Sequence, residues 1–228
     1  MIRQPISIVM GHVDSGKTSI LDWIRGTAIV ESEAGLITQS ISSTNVNLET
    51  LKKIMGNLIE NVKFKLSIPG ILFIDSPGHA AFNNLRKRGG NLADIAILVV
   101  DINQGIQDQT VECIQILKQY KTPFVIAANK LDLIHGWQKK SDILIKNIQE
   151  QTSKTQQELD TKIYNIVGGF AEHSFNSERF DRIEDYTKQI AIIPTSTLSG
   201  EGLKELLMVL VGLAQKYLEE SLKIQLNK

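Results

Sequence analysis

The chain has 228 residues, 25 Lys plus Arg against 25 Asp plus Glu, and a formal net charge of zero, so it lacks the strongly basic signature of a free-standing nucleic-acid binder. Hydrophobic residues make up 42%, which excludes general disorder, and the length points first to one large domain, with two small ones as the alternative. The longest nearly unbroken apolar run, residues 206–214, is far shorter than the about 20 residues of a membrane-spanning helix.

At the N-terminus, MIRQPISIVMGH offers no small-residue cleavage site, so no secretory signal is expected and the protein reads as intracellular. Ile6 to Met10 is a short β-branched run that predicts a buried strand. It leads straight into GHVDSGKT at residues 11–18, and helical spacing follows from Lys17 to Arg25. That motif fits G-x-x-x-x-G-K-[ST] in the strand-turn-helix setting that gives it meaning. Backbone N–H groups around residues 14–17 can cradle phosphates at a helix N-terminus, Lys17 can reach the β/γ-phosphates and the Thr18 hydroxyl can ligate Mg2+. Asp14, Ser15, Gly16, Lys17, Thr18 and Ser19 are therefore the candidate phosphate-binding residues. Residues 26–50 are Ser/Thr/Gly-rich with weak periodicity and predict a long functional loop.

The next strand is predicted over Gly70 to Ile74 and is followed by DSPGH at residues 75–79. Asp75 at a strand end can hold Mg2+ through a water, and Gly78 leaves room for its backbone N–H to meet a γ-phosphate. Read alone, His79 is a surface histidine in a turn; beside the phosphate loop it becomes the candidate to orient an attacking water. Ala81 to Lys87 has helical spacing, Ile95 to Val100 is a third buried strand, and Asp108 to Lys118 is a helix that carries the lone Cys113 on its apolar face. One cysteine excludes an intramolecular disulfide, and its register predicts a core residue.

After the strand Phe124 to Ala128 comes Asn129-Lys130-Leu131-Asp132. In N-K-x-D order, Asp132 can accept from both the guanine N1–H and the 2-amino group, Asn129 can tie loops together at the base edge and the Lys130 stem can cover the ring. Adenine lacks those donors, and an unpaired carboxylate costs on the order of 1–3 kcal/mol, so the motif selects guanine. Residues 136–189 are polar with helical spacing and predict inserted helices, one closed by Gly168-Gly169. Ile190 to Pro194 is the last predicted strand, Gly202 to Leu218 the last helix, and residues 219–228 a tail or the start of a linker. Short apolar strands alternating with helices give an α/β fold: a mostly parallel sheet with helices on both faces and a helical insertion near 136–189. No sustained heptad argues for a dimer.

These motifs resemble the translational GTPases and, among them, the G domain of the archaeal and eukaryotic initiation factor five B group, the counterpart of bacterial initiation factor two. The likeness runs through GHVDSGKT, AGLITQSI, DSPGHAAF, LRKRGGNLADIAILVVDINQG, TPFVIAANKLDLIHGW and SFNSERFDRIEDYTKQIAIIPTSTLSGEG; the SERFDR and IHGW stretches are characteristic of this group. The resemblance implies a P-loop, Ras-like G domain over residues 1–218, with switch 1 about 26–45 and switch 2 about 75–90. It makes Thr38 the switch threonine that senses Mg2+ and the γ-phosphate, His79 the catalytic histidine, and Ser196, Thr197 and Leu198 the last base-contacting loop. Asp14 matches an aspartate that can help hold a monovalent cation.

The implied activity is hydrolysis of GTP to GDP and phosphate with Mg2+, stimulated by the ribosome through its large subunit, in a cytoplasmic factor that promotes subunit joining. Initiator tRNA would be met only through further domains of the full factor, and neither a membrane nor DNA is an implied partner. Departures from the pattern fall in the switches, at Leu36, Ser40 and Ser42, and at Ser76 and Ala80; Leu198 stands where many GTPases have lysine. The alternatives are a nucleotide-gated binding module with negligible hydrolysis and a ribosome-assembly GTPase, the latter opposed by SERFDR and IHGW.

Overall fold

In the computed structural model, which describes residues 3–31, 39–40, 43–61, 66–75 and 93–218, the strands are Ile6–Gly11 (β1), Gln39–Ser40 (β2), Ser43–Asn47 (β3), Gly70–Asp75 (β4), Ile95–Asp101 (β5), Phe124–Asn129 (β6), Ser177–Arg179 (β7) and Ile190–Pro194 (β8). They form one sheet in the order β2-β3-β4-β1-β5-β6-β8-β7, antiparallel only where β3 meets β2 and β4. Every residue of β5 and β6 is buried, so both faces of the sheet are covered there, which is why these strands read as continuous apolar runs rather than alternating ones. The helices are Lys17–Glu31 (α1), Leu48–Met55 (α2), Asp108–Tyr120 (α3), Leu144–Gln149 (α4), Ser153–Glu172 (α5) and Leu203–Leu218 (α6). Among the described residues, none is long and apolar enough to cross a membrane.

All five apolar strands expected from the sequence are present, as are the helices starting at Lys17, at Asp108 and at Leu203. Cys113 is buried, and desolvation pushes its thiol up to about 11, so it packs as a small core residue. The expected helix over Ala81 to Lys87 lies outside the described residues.

Three expectations need correction. Residues 26–50 are not one loop: α1 continues to Glu31 because Ile24 and Ala28 keep the i, i+4 contact with the core, and β3 pairs with β4. The polar run STNVN hides a strand whose Thr44 and Val46 point inward, and Asn47 then caps α2 by accepting from Thr50 N at 2.8 Å. Pairing with a ready strand edge overrides the turn preference of Ser, Thr and Asn. Gly168-Gly169 lies inside α5 rather than closing it; a Cβ on Gly169 would strike the Ile106 side chain, so this glycine serves close packing. Finally, the insertion is not purely helical, since β7 joins the sheet edge beside β8.

Ion pairs fasten that edge. Arg179, 5% exposed, donates from Nε and Nη2 to the two oxygens of Asp181, at 2.6 and 2.9 Å, and from Nη1 to Asp160 of α5 at 2.7 Å. Arg182 Nη2 also donates to both oxygens of Asp160, at 3.0 and 2.8 Å. The SERFDR stretch thus ties α5 to β7.

Candidate functional site

β1, β4, β5, β6 and β8 run parallel, so their C-terminal ends, at Gly11, Asp75, Asp101, Asn129 and Pro194, meet along one edge of the sheet. β1 is the switch point: the chain builds β2 to β4 on one side of it and then crosses to β5 on the other. In open α/β sheets, the crevice outside such a point is where ligands bind.

The two glycines of the phosphate loop have separate reasons. Gly11 has φ +147°, and a Cβ there would collide with the Val99 carbonyl of the neighbouring strand. Gly16 has φ +98°, and a Cβ there would collide with Asn129 Nδ2. Asp14 also adopts a positive φ, +61°, and turns of this kind form concave rows of backbone N–H groups suited to anions. Lys17 Nζ donates to the His12 carbonyl at 2.6 Å, so its ammonium is held across the loop. Thr18 and Ser19 are exposed in the first turn of α1, where backbone N–H groups have no intrahelical partner. Ser15 Oγ and His12 Nδ1 are buried without a protein hydrogen bond, polar atoms left for something other than protein to satisfy.

The N-K-x-D segment meets this loop directly. Asn129, 1% exposed, donates from Nδ2 to the Ser15 carbonyl at 2.9 Å, while its Oδ1 accepts from Thr195 Oγ1 at 3.4 Å. One side chain therefore joins the phosphate loop to the loop after β8. Lys130 sits in the left-handed region at φ +69°, and its Nζ pairs with Asp101 at 2.8 Å, which stretches its stem along the site. Asp132, half-buried, accepts a short hydrogen bond on Oδ1 from Ser196 Oγ, leaving Oδ2 for a ligand. Thr197 is half-buried and Leu198 is 85% exposed, at the lip of this loop.

The structure therefore brings together Asp14 to Ser19, Asn129, Lys130, Asp132 and residues 196–198. Asp75 ends β4, and its side chain lies outside the described residues, as do Thr38, Gly78 and His79, together with Leu36, Ser42, Ser76 and Ala80 among the departures. Sequence reasoning missed Asp101, although an acidic residue closing a buried strand beside the other loops was the available signal. It also missed Glu201, whose donors Trp137 and Asn147 lie far away in sequence, and Ser199, which bonds it. The residues present fit a guanine nucleotide: a carboxylate with a free oxygen, an anion-binding turn and a lysine.

Residues 3–216 match the family model described as the elongation factor Tu GTP binding domain. The chain is 54% identical over 227 residues to a protein named probable translation initiation factor IF-2 in Methanopyrus kandleri, covering 99% of this chain and 38% of the relative. It superposes with TM-score 0.90 and 49% identity on a crystal structure of GDP-bound aIF5B from Aeropyrum pernix, over 98% of this chain and 38% of that one. Elongation factor SelB from Methanococcus maripaludis, in complex with the GTP analogue GppNHp, shares the fold at 20% identity and TM-score 0.52, over 94% of this chain and 34% of that one. The chain thus spans 38% of the length of the first curated relative it matches.

Proposed function

The chain belongs to the translational GTPases, as a G domain of the IF-2/aIF5B initiation factors, and from that premise we propose that it binds GTP with Mg2+ and hydrolyses it to GDP and phosphate when the large ribosomal subunit activates it. The observation that most supports this reading is the hydrogen bond from Asn129 to the Ser15 carbonyl, because it puts the guanine-selecting segment and the phosphate-binding loop on one rigid unit. Asp132 reads the base, the Lys130 stem lies along the ring, and Ser196, Thr197 and Leu198 close over the base edge. Backbone N–H groups of residues 14–17 and the Lys17 ammonium oppose the phosphate charge as it shifts toward the leaving diphosphate.

Mg2+ would be held by Thr18 and Thr38 directly and by Asp75 through water, where it neutralises phosphate charge. Gly78 offers its N–H to the γ-phosphate, His79 orients the water that attacks phosphorus, and Asp14 helps hold a monovalent cation. In this reading the G domain covers residues 1–218, with switches over 26–45 and 75–90 and a tail from 219. The protein works in the cytoplasm and promotes subunit joining, and initiator tRNA is bound by other parts of the full factor.

A side chain that positions the attacking water typically contributes about 10²–10⁴ in rate, and only when it points at the nucleotide. His79→Ala is therefore expected to leave GTP affinity and slow intrinsic turnover nearly unchanged, yet to remove most ribosome-stimulated turnover in the full-length factor. Single-turnover rates of wild type and variant, with and without ribosomes, test this. Equal fractional losses in both conditions would contradict a partner-oriented histidine, and no hydrolysis by wild type in either would leave a nucleotide-gated binding module.

A further inference from the structure

The IHGW stretch that follows the N-K-x-D segment has no part in the site as described, yet its tryptophan is bonded to the loop that touches Asp132. Trp137 Nε1 donates to Glu201 Oε1 at 3.1 Å. Asn147 of α4 donates from Nδ2 to the same oxygen, and Ser199 Oγ donates to Oε2. Glu201 is 5% exposed and takes all three bonds from neutral side chains. A buried carboxylate requires such donors, and here they come from two places: the insert on one side and the loop after β8 on the other.

From Ser199 the connection continues inward. Its backbone N–H donates to Ser196 Oγ at 3.2 Å, while Ser196 Oγ donates its own proton to Asp132 Oδ1. A serine hydroxyl has one proton, and with an incoming N–H occupying a lone pair that proton is aimed at the carboxylate. The loop is closed on itself by Ser196 N to the Glu201 carbonyl, 3.0 Å, and Gly200 N to the Ser196 carbonyl, 2.9 Å. Lys139 Nζ, again from the insert, donates to the Ser199 carbonyl at 3.1 Å. Asp132 has acceptor sites on two oxygens; with Oδ1 oriented by Ser196, the plane of the carboxylate is set before a base arrives.

We propose that Glu201 is a positioning residue for guanine recognition: anchored by Trp137 and Asn147 of the insert, its carboxylate fixes Ser199 and, through Ser196, the orientation of Asp132. The insert is then part of the base-specificity apparatus rather than a decoration on the sheet edge. This rests on the reading of residues 129–132 as the guanine site.

The test is the ratio Kd(IDP)/Kd(GDP) of the 228-residue chain, measured by competition against a fluorescent GDP analogue, because IDP lacks only the 2-amino group that Asp132 accepts from. Ser199→Ala and Glu201→Ala are expected to lower this ratio about five- to tenfold, toward that of Asp132→Asn, with IDP, which still offers N1–H to Asp132, weakening by a smaller factor than GDP. Glu201→Gln keeps an acceptor for Trp137 and Asn147 and can donate to Ser199 Oγ, so its ratio should stay within about twofold of wild type. A merely structural role would change both nucleotides alike. Ratios of Ser199→Ala and Glu201→Ala within twofold of wild type, with Asp132→Asn collapsed, would overturn the inference and leave the guanine site standing. An unchanged ratio in Asp132→Asn would instead remove the base-site reading itself. Should Glu201→Ala fail to fold, Ser199→Ala decides, since it removes one hydroxyl from a half-buried position.

Discussion

At the scale of single residues, the proposed function makes base choice a question of which atoms of Asp132 can accept. Replacing it with Asn exchanges one acceptor oxygen for a donor, which suits the 2-oxo group of xanthine and opposes the 2-amino group of guanine. Asp132→Asn is expected to weaken GDP by about 10²-fold or more and to improve XDP relative to wild type, as measured by competition binding; an unchanged preference for GDP over XDP would sink the assignment. That carboxylate was legible in the sequence because its spacing from Asn129 follows a strand end. Glu201 was not, because its donors Trp137 and Asn147 stand 64 and 54 residues away, and only the folded chain makes them neighbours. Asp101 falls between: its place at a strand end is visible in the sequence, but its pairing with Lys130 is not.

Elements were legible where composition and burial agree. β1, β4, β5, β6 and β8 are read from apolar, β-branched runs, whereas β3 is polar but for Val46 and exists because β4 offers it an edge. β7 is likewise three residues fastened by ion pairs rather than by its own apolar character. Arg179→Ala would take from Asp181 its buried cation while Asp160 keeps Arg182, so a loss of about 1.5–3 kcal/mol, the range for hydrogen bonds to charged groups, is expected in urea unfolding. Arg179→Lys should recover only part of it, because an ammonium cannot fork across Asp181. A loss below about 1 kcal/mol in the alanine variant would mean that β7 is held by other contacts.

A second element-scale expectation concerns α6. Glu205, 2% exposed, accepts from Leu144 N at 2.9 Å, and desolvation raises its pKa above the ordinary 4.5 despite that bond. The folded state then holds this proton more tightly than the unfolded state. The resulting stability is fully present below the unfolded pKa and is lost as pH rises through the folded one. Glu205→Gln keeps an oxygen for Leu144 N and removes the titration, so its stability relative to wild type should grow as pH rises above the ordinary 4.5. Urea midpoints of both proteins over that rise check this, and a difference that is flat or shrinks with pH would count against it.

For the whole molecule, the topology decides how local sites become one. Parallel strands carry Gly11, Asp101, Asn129 and Pro194 to the same edge, and Asn129 bonds the loops after β1 and β8. A guanine nucleotide that bridges these loops binds only the folded chain, so it must stabilise the fold as a whole rather than one segment. At a free concentration about 100 times Kd, that linkage contributes about 2.7 kcal/mol. In a chain of 228 residues, each kcal/mol moves the thermal midpoint by roughly 2–4 °C, giving an expected rise of about 5–11 °C with GDP and Mg2+. ADP at the same concentration should give little or none, because it leaves Asp132 unpaired, and Lys17→Ala should lose most of the GDP effect with its cation at the phosphates. A thermal-shift series of GDP, ADP and no nucleotide on both proteins separates the contributions of base and phosphate. Equal shifts with ADP and GDP would mean that the loops after β6 and β8 do not read the base, and a full GDP shift in Lys17→Ala would mean that the phosphates are not held at the loop after β1.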